Sequence, residues 1–526
     1  MANNPAPGSP GIEPKWTTSN KSGVGTSYGP NSHVWFTLSH GILNEIYYPR
    51  VDIACTRDMG LIITDGNNFF SEEKRNTHSK VAYLAKGIPA YRLTNTDSAG
   101  RYMVEKEIIT DPARDTVLQR TVFTPLQGTL SDYHVYALLA PHLGNRGRDN
   151  DAWVGNYKGM PMLFADRDGY SLALACSTGW RKQSVGYAGV SDGWQDLFKH
   201  KQMEWTYDEA RLGNVALTGE IELPEDGGNF ILAIGFGTNT DEAGQRARAS
   251  LFLDFDDILS DYIDQWQVWE KKLYPVQKIE PDEVDLYRMS AAVLLCHEAK
   301  HFTGGIIASL SIPWGDAKSD NDLGGYHLVW PRDLVETVGG LIAAGAGSDT
   351  LRVLDYLQVV QEQDGHWPQN MWLDGRAYWN GVQLDETAFP LILVDTARRR
   401  GMISPKDQQR YWPMVRQAAA FLVQNGPVTQ EDRWEEDPGY SPFTLAVTIA
   451  GLLCAADLAD DQGEKDVAVY LRETADEWNA CIETWIYVKD TELAKQVGVE
   501  GYYVRLAGPD ESQASSPAQG YVAIKN

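Results

Sequence analysis

Cysteine is scarce and dispersed. The 526 residues hold five, Cys55, Cys176, Cys296, Cys454 and Cys481, with no CxxC pair. An odd, widely spaced set argues against a disulfide framework or a zinc cluster and leaves reduced, buried thiols as the expectation. Positive charge is also in deficit, with 46 Lys and Arg against 72 Asp and Glu and a formal net charge of −26. Nucleic acids and anionic membranes are both held by clustered Lys and Arg, so neither is an expected partner. The stretch from Met1 to Thr26 is rich in Pro, Gly, Ser and Asn and lacks an apolar h-region. With no secretory leader legible, a cytoplasmic location is expected. No apolar run is read as approaching the ~18 residues of a membrane span.

What is present suits a large soluble fold. The chain is 43% hydrophobic, with 17 Trp and 25 Tyr. Its length fits two domains, each with its own core. From about 30 to 240 the sequence reads as short strands. Val34, Phe36 and Leu38, then Val117 and Phe123 around Arg120, then Leu172, Leu174 and Cys176 form alternating or β-branched runs. Clusters such as Asp65-Gly66-Asn67-Asn68 and Asp226-Gly227-Gly228-Asn229 separate them, and this spacing predicts an antiparallel sandwich. From about 241 to 273 the period turns helical, through Ala243, Ala247, Leu251, Ile258, Tyr262, Trp266 and Trp269. Lys278 to Asp282 breaks it. Beyond 283 nearly everything reads as helix: Leu286, Met289, Val293 and Cys296; Leu351, Leu354 and Leu357; Leu445, Ile449, Leu452 and Ala456. Ser404-Pro405 reads as an N-cap followed by Pro at the first helical position. About seven helices are expected from residue 283 to the end.

Three stretches join aromatic rings to carboxylates just before apolar helices. In Asp432-Arg433-Trp434-Glu435-Glu436, followed by Gly439-Tyr440-Ser441-Pro442-Phe443-Thr444, a tryptophan adjoins two acids. A carboxyl against an aromatic wall is poorly solvated as an anion, so its pKa is expected to rise until it can donate a proton near neutral pH. The general acid of glycoside hydrolysis needs that property. A solvated acidic loop ahead of a helix is the plainer alternative. In Gly324-Gly325-Tyr326-His327-Leu328-Val329-Trp330-Pro331-Arg332-Asp333, an Arg fork and a carboxylate can grip vicinal hydroxyls while Trp and Tyr stack on a sugar. An ion pair at a helix start is the alternative there. Tyr378-Trp379-Asn380-Gly381-Val382-Gln383-Leu384-Asp385-Glu386 repeats the theme.

Together these clusters resemble the glucoamylase family, the inverting exo-glucosidases that include bacterial glucoamylases and glucodextranases. The resemblance extends to Gly23-Val24-Gly25-Thr26, Val34-Trp35-Phe36-Thr37-Leu38 and Ile46-Tyr47-Tyr48-Pro49, similar to the family's N-terminal β-domain. It continues in Ile306-Ile307-Ala308-Ser309-Leu310-Ser311-Ile312-Pro313-Trp314-Gly315, similar to the approach to its helical barrel. It implies a multidomain chain: an antiparallel, supersandwich-like β-sandwich over 1–270, a linker end over 271–284, and a partial (α/α)6 barrel over 285–526. It implies that Glu435 is the general acid and that Asp432 and Glu436 bind the leaving sugar. Arg332 and Asp333 would hold the terminal glucose, Trp330 and Tyr326 would wall it, and Trp434 and Trp379 would lie beside the acid. The choice of Glu435 over Glu436 rests on that resemblance, since adjacency alone does not make it. The implied substrate is an α-glucan or maltooligosaccharide, cleaved from its non-reducing end with inversion. Inversion also needs a water-activating carboxylate. The resemblance places that base, and a late arginine, beyond Asn526.

Other signals in the sequence compete with this reading. His297-Glu298-Ala299-Lys300-His301 spells HExxH on a predicted helix, but no third ligand follows, and a helix end is the preferred reading. Gly23 to Gly29 has the wrong spacing for a nucleotide loop and reads as a turn. Asp316 to Asp322 offers oxygens to calcium without the Gly and distal Glu of an EF-hand; otherwise no cofactor or metal is expected. An inverting disaccharide phosphorylase and a non-catalytic glucan-binding protein are the competing functions.

Overall fold

Short alternating runs between turns pair into sheets, while the long apolar-periodic runs wind into helices. The computed structural model describes residues 4–224, 227–276, 285–313, 318–321 and 323–508. Lys278 to Asp282, Trp314 to Asp316, Asp322, Asp226 and the final residues to Asn526 lie outside the described residues. The chain divides into two compact units, Met1–Lys300 with Ser309–His327, and His301–Ala308 with Leu328–Asn526.

In the first unit, a nine-stranded sheet runs in the order Glu209–Gly213, Asn150–Tyr157, Met160–Arg167, Tyr170–Cys176, Asn229–Gly237, Thr116–Pro125, Tyr102–Thr110, Tyr91–Asp97, Thr77–Tyr83. An eight-stranded sheet runs Trp180–Tyr187, Val215–Ile221, His134–Pro141, Thr56–Thr64, Ile42–Tyr47, Trp35–Ser39, Gly23–Thr26, with Phe70–Glu72 paired to Thr56–Thr64. Neighbours in both are antiparallel. One core joins Phe36, Leu38, Leu61 and Val135 of the second sheet to Val104, Ile108, Leu172 and Leu174 of the first, which makes a sandwich. The strand Trp35–Ser39 is buried on both faces. Its polar Thr37 is accommodated because its hydroxyl reaches Glu45 Oε2 at 2.9 Å.

Helix α1 (Thr240–Leu251) starts where Asn239 accepts from Glu242 N at 2.9 Å. It lies against the strands Asn229–Gly237 and Tyr170–Cys176. The approach is close: a Cβ on Gly235 would meet Ala243 O at 2.3 Å, so only glycine fits there. Helix α2 (Phe255–Glu270) is anchored by Tyr262 and Trp266, which donate to Thr26 O at 2.8 and 3.0 Å.

Helix α3 (Leu286–Cys296) falls by its contacts in the first unit. It groups with the sandwich, packing on Gly23–Thr26. Beyond it, Lys300 Nζ donates to Thr26 Oγ1 at 3.0 Å and Ser27 O at 2.8 Å. The helical reading of HExxH is also corrected. Helix α3 ends at Cys296, so the segment starting at His297 does not set its histidines one turn apart on a helix. His297 Nδ1 instead bonds Val293 O at 2.7 Å. Of the acidic loop, Asp320 turns inward, its Oδ2 accepting from Gly147 N at 2.6 Å and Arg148 N at 3.0 Å. The cysteines are unpaired, three buried and two half-buried.

In the second unit, six long helices follow in order: α4 (Pro331–Ala344), α5 (Thr350–Val360), α6 (Leu384–Arg399), α7 (Pro405–Asn425), α8 (Pro442–Asp461) and α9 (Lys465–Ile486). They alternate between two layers. Helices α4, α6 and α8 pack on one another in series, while α5, α7 and α9 fill the outside between them. With α3, seven helices of eleven or more residues lie beyond 283 among the described residues. Ser404 caps α7 with Asp407 in a reciprocal box, with Pro405 at the first turn, as its sequence predicts. The inner position of α8 explains a missed feature. This 20-residue helix is long and apolar enough to cross a membrane, contrary to the reading that no run approaches that length. Its Leu445, Leu452, Ala455, Ala456 and Leu458 are buried, and it packs against α6 and α9.

Burial in the sandwich also sets an acid response. His142 is fully buried, its ring edge-on to Trp16 at 4.6 Å, with neither nitrogen hydrogen-bonded. Desolvation pushes its pKa down to about 3, with Arg57 adding to the shift and Asp58 opposing it. The unfolded chain therefore binds a proton below about pH 6.5 that the folded one refuses, and stability falls as the pH drops from there toward 3. His142→Phe is expected to keep stability at pH 7 within about 1.5 kcal/mol. It should also make the decline between pH 6 and 4 shallower by up to ~1.4 kcal/mol per pH unit. Urea unfolding across that range reads both; identical slopes in the two proteins would show that this histidine titrates freely.

Candidate functional site

The three aromatic–carboxylate clusters sit at the starts of the three inner helices. Trp330 is the N-cap of α4, with Pro331 at its first turn. Gln383 precedes α6, and Ser441 caps α8, its hydroxyl near Thr444 N. Helix N-termini carry partial positive charge and unpaired N–H groups, which favours acids there. Hydrogen bonds then draw the three ends together.

Arg332 is the link. It is 7% exposed, and its Nη1 donates to Gln383 Oε1 at 2.9 Å and Asp385 Oδ2 at 2.6 Å, with Glu386 Oε1 at 3.0 Å. Its backbone N–H donates to Glu386 Oε2. Asp385 also accepts from Thr444 Oγ1 at 3.2 Å, which ties in α8. Both carboxylates are fully buried. Burial raises the Glu386 pKa well above the carboxylate range, with Asp385 adding to it and Arg332 opposing. Asp333 points elsewhere. Its carboxylate is 3.8 Å from Arg332 Nε and 42% exposed, and partial desolvation raises its pKa against the pull of Arg332. So the expected Arg–Asp grip is divided: Arg332 is committed mainly to α6, and Asp333 is the more open partner.

The acid loop lies before α8. Glu435 is exposed, and its Oε1 accepts the indole N–H of buried Trp330 at 3.1 Å. Its backbone is left-handed, φ 64°, and its N–H donates to Asp432 O at 2.8 Å. Asp432 is 1% exposed; its Oδ1 accepts from Glu436 N at 3.1 Å and its Oδ2 from Arg505. Glu436 is half-buried, with Arg505 Nη2 3.2 Å from its Oε2.

One expectation is corrected. Trp434, expected as the aromatic wall beside Glu435, is 63% exposed with the Arg433 guanidinium 5.6 Å from its ring. At a turn with a left-handed residue, sequence neighbours diverge; the tryptophan in contact comes from the start of α4, 105 positions away. Trp379 lies on a ribbon of Asn370–Met371 and Ala377–Trp379, its N–H bonded to Asn370 Oδ1 at 3.0 Å. The same ribbon bonds Val329, beside Trp330, and Val382 O accepts from Glu431 N at 3.3 Å. Tyr326 belongs to the first unit, where its carbonyl accepts from Ser309 N. Thus Trp330, Arg332, Asp333, Asp432, Glu435 and Glu436 gather around the helix starts, with Trp379 on the adjoining ribbon.

Sequence reading missed Gln383, Asp385 and Glu386 as the sheath of Arg332, although acids opening a helix were a usable signal. It missed Arg505 too, for which no local pattern exists. Among the described residues no group of three or more His, Cys, Asp or Glu is arranged to hold a metal ion.

Comparison with known proteins agrees along the chain. Residues 6–271 match the family described as glucodextranase, domain N, and residues 282–518 match glycosyl hydrolases family 15. A glucoamylase of Clostridium sp. (strain G0005) is 39% identical over 502 residues, 95% of this chain and 69% of that protein. An uncharacterized glycosyl hydrolase of Methanocaldococcus jannaschii is 29% identical over 160 residues, 30% of this chain and 25% of that one. Among solved structures, a bacterial glucoamylase complexed with acarbose aligns with a TM-score of 0.90 at 38% identity, over 98% of this chain and 73% of that chain.

The Arg332 cluster makes a stability prediction. Replacing one partner of a buried ion network leaves the others uncompensated. Arg332→Met is expected to cost about 3–5 kcal/mol, read by urea unfolding at pH 7. Adding Asp385→Asn should recover much of that loss, because the stranded charge goes. A single-variant loss below about 1 kcal/mol would mean that the guanidinium is solvated rather than sheathed.

Proposed function

Because the chain belongs to glycosyl hydrolases family 15, we propose that Glu435 is its general acid, protonating the glycosidic oxygen as the rest of an α-glucan leaves the terminal glucose. The activity class is that of a glucoamylase-like glycoside hydrolase. The residue roles rest on one observation above the others: Glu435 Oε1 is held by the Trp330 indole N–H at 3.1 Å. Among the described residues, this one donor orients an exposed carboxyl. An acid must lie within hydrogen-bond reach of the oxygen it protonates, so orientation is the first requirement.

Asp333 is the acceptor for outer hydroxyls of the terminal glucose, with Arg332 as the anchored donor behind it. A maltooligosaccharide is the natural ligand class, and the chain's negative charge is no obstacle to a neutral sugar. The exposed Trp434 ring is a surface on which the leaving sugar can lie. An inverting reaction also employs a second carboxylate to activate water on the opposite face. No described residue is assigned that role here.

The acid assignment predicts a leaving-group signature. Glu435→Gln should lower kcat on maltose-type substrates by about 10²–10⁴-fold, the range for a positioned general acid. With α-glucosyl fluoride, whose leaving group needs little protonation, the loss should be far smaller. Equal losses on both would make Glu435 a binding residue instead. For Asp333, deoxy-substrates lacking one outer hydroxyl should bind more weakly to the wild type and show little discrimination with Asp333→Ala, since a site built for a hydroxyl is penalised when its partner is absent. Discrimination unchanged in the variant would return Asp333 to a structural role.

A further inference from the structure

Arg505 approaches the acid loop from far along the chain. After α9 the backbone returns: Val504 N donates to Ile486 O at 2.9 Å, and Ala507 exchanges two hydrogen bonds with Tyr440, at 2.8 and 3.1 Å. Val504, Ala507, Ile486, Val488 and Leu445 pack into a small core that fixes this return. The fit against the loop is tight. A Cβ on Gly439, at φ 157°, would meet Ala507 O at 2.3 Å. A rigid segment therefore delivers the Arg505 guanidinium between two acids of the loop.

The contacts are specific. Nη1 donates to Asp432 Oδ2, and Nη2 stands 3.2 Å from Glu436 Oε2. Asp432 binds the loop from within, taking Glu436 N on Oδ1 and Glu435 N on its carbonyl. Glu436 Oε2 is buried without a hydrogen bond among the described residues. Its other oxygen, Oε1, is not buried and makes no hydrogen bond among the described residues, so it is the one left for a ligand. Other charged groups here include Asp437, whose carbonyl accepts from Asp432 N at 3.0 Å, Glu431, whose pKa is raised by desolvation and then by Glu435 and Asp432, and exposed Arg433, which lies over the Phe443 ring at 4.2 Å.

We propose that Arg505 is a positioning residue for the leaving-sugar side of the site. By pairing Asp432 and drawing Glu436 Oε2 inward, it turns Glu436 Oε1 outward to accept a hydroxyl of the departing sugar. This deepens the reading of Glu435 as the acid and rests on it. Arg suits the place because its planar fork holds separate N–H donors at fixed positions, one for each carboxylate, whereas an ammonium is a compact point charge.

The test compares wild type, Arg505→Met and Arg505→Lys on maltose and on α-glucosyl fluoride, whose departing fluoride places no sugar against Glu436. Arg505→Met should lose about tenfold or more in kcat/KM on maltose relative to its loss on the fluoride, the equivalent of one charge-assisted hydrogen bond. Arg505→Lys, which keeps the charge and loses the fork, should show the same selective loss at smaller size, and it serves if the Met variant does not fold. In a double-mutant cycle with Glu436→Gln, the two losses on maltose should fall well short of additive. Equal loss on both substrates, no selective loss in folded variants, or full additivity would each overturn the proposal. Glu435→Gln assayed alongside keeps the two readings apart. If it shows the signature of an acid while the Arg505 variants show no selectivity, only the positioning role fails; if it loses equally on both substrates, the acid reading fails and takes this one with it.

Discussion

One buried guanidinium organises the helical unit. An arginine taken out of water must be surrounded by acceptors, and the solvation it loses is of the order of several kcal/mol. Arg332 finds them in Gln383, Asp385 and Glu386, all at the start of α6. That requirement fixes the rotation of α6 against α4, because only one face of α6 presents these groups. Asp385 then reaches Thr444 and so fixes the start of α8. The apolar sides of the inner helices supply attraction without direction, whereas this polar plug at their ends sets register. The loop carrying Glu435 hangs between two such constraints, the Arg332 network at the start of α8 and the Arg505 contact with Asp432.

Much of the fold was written in local patterns. Leu445, Ile449, Leu452 and Ala456 mark α8 by period, Ser404 and Pro405 mark the start of α7 by capping, and the turn clusters of the first half separate real strands. What local pattern could not carry is partnership. Helix α3 has the same periodicity as its successors, yet it packs with the sandwich, because Gly23–Thr26 and the anchor of Lys300 offer it a surface there. The family boundary falls before α3, between 271 and 282, whereas the contacts bind α3 to the first unit. The length and composition of α8 alone would also suit a membrane span, and only its place in the inner layer shows what its apolar surface is for.

The site shows the same division. The residue types were legible: acids and tryptophans ahead of apolar helices, in three places. The pairing of tryptophan with acid was not. Trp434 and Glu435 are joined by one peptide bond, and sequence reasoning naturally treats them as a contact. The turn leaves Trp434 exposed, and Trp330 supplies a hydrogen bond instead. Arg505 is invisible for a related reason. A lone arginine beside Val504 and Leu506 reads as an exposed charge on a short strand end. Its meaning comes only from the two rungs that dock Ala507 on Tyr440.

The backbone at Glu435 shows what these constraints achieve together. A non-glycine residue at φ 64° pays a steric penalty that glycine would avoid, of order 1 kcal/mol. In the second unit, among the described residues, only Glu435 and Asp490 adopt such a conformation without being glycine. Asp490 sits in the turn before the short helix Glu492–Val497, where strand and helix meet. At Glu435 the conformation is held from three sides: its N–H on Asp432 O, the next N–H on Asp432 Oδ1, and its carboxyl on the Trp330 indole. Left-handed geometry reverses the direction of the side chain relative to its neighbours. It is what lets Glu435 reach back to the start of α4 while Trp434 faces solvent and Glu436 faces Arg505. An extended or right-handed backbone at 435 would break at least one of those contacts, so the strain and the division of labour among three consecutive residues are the same fact.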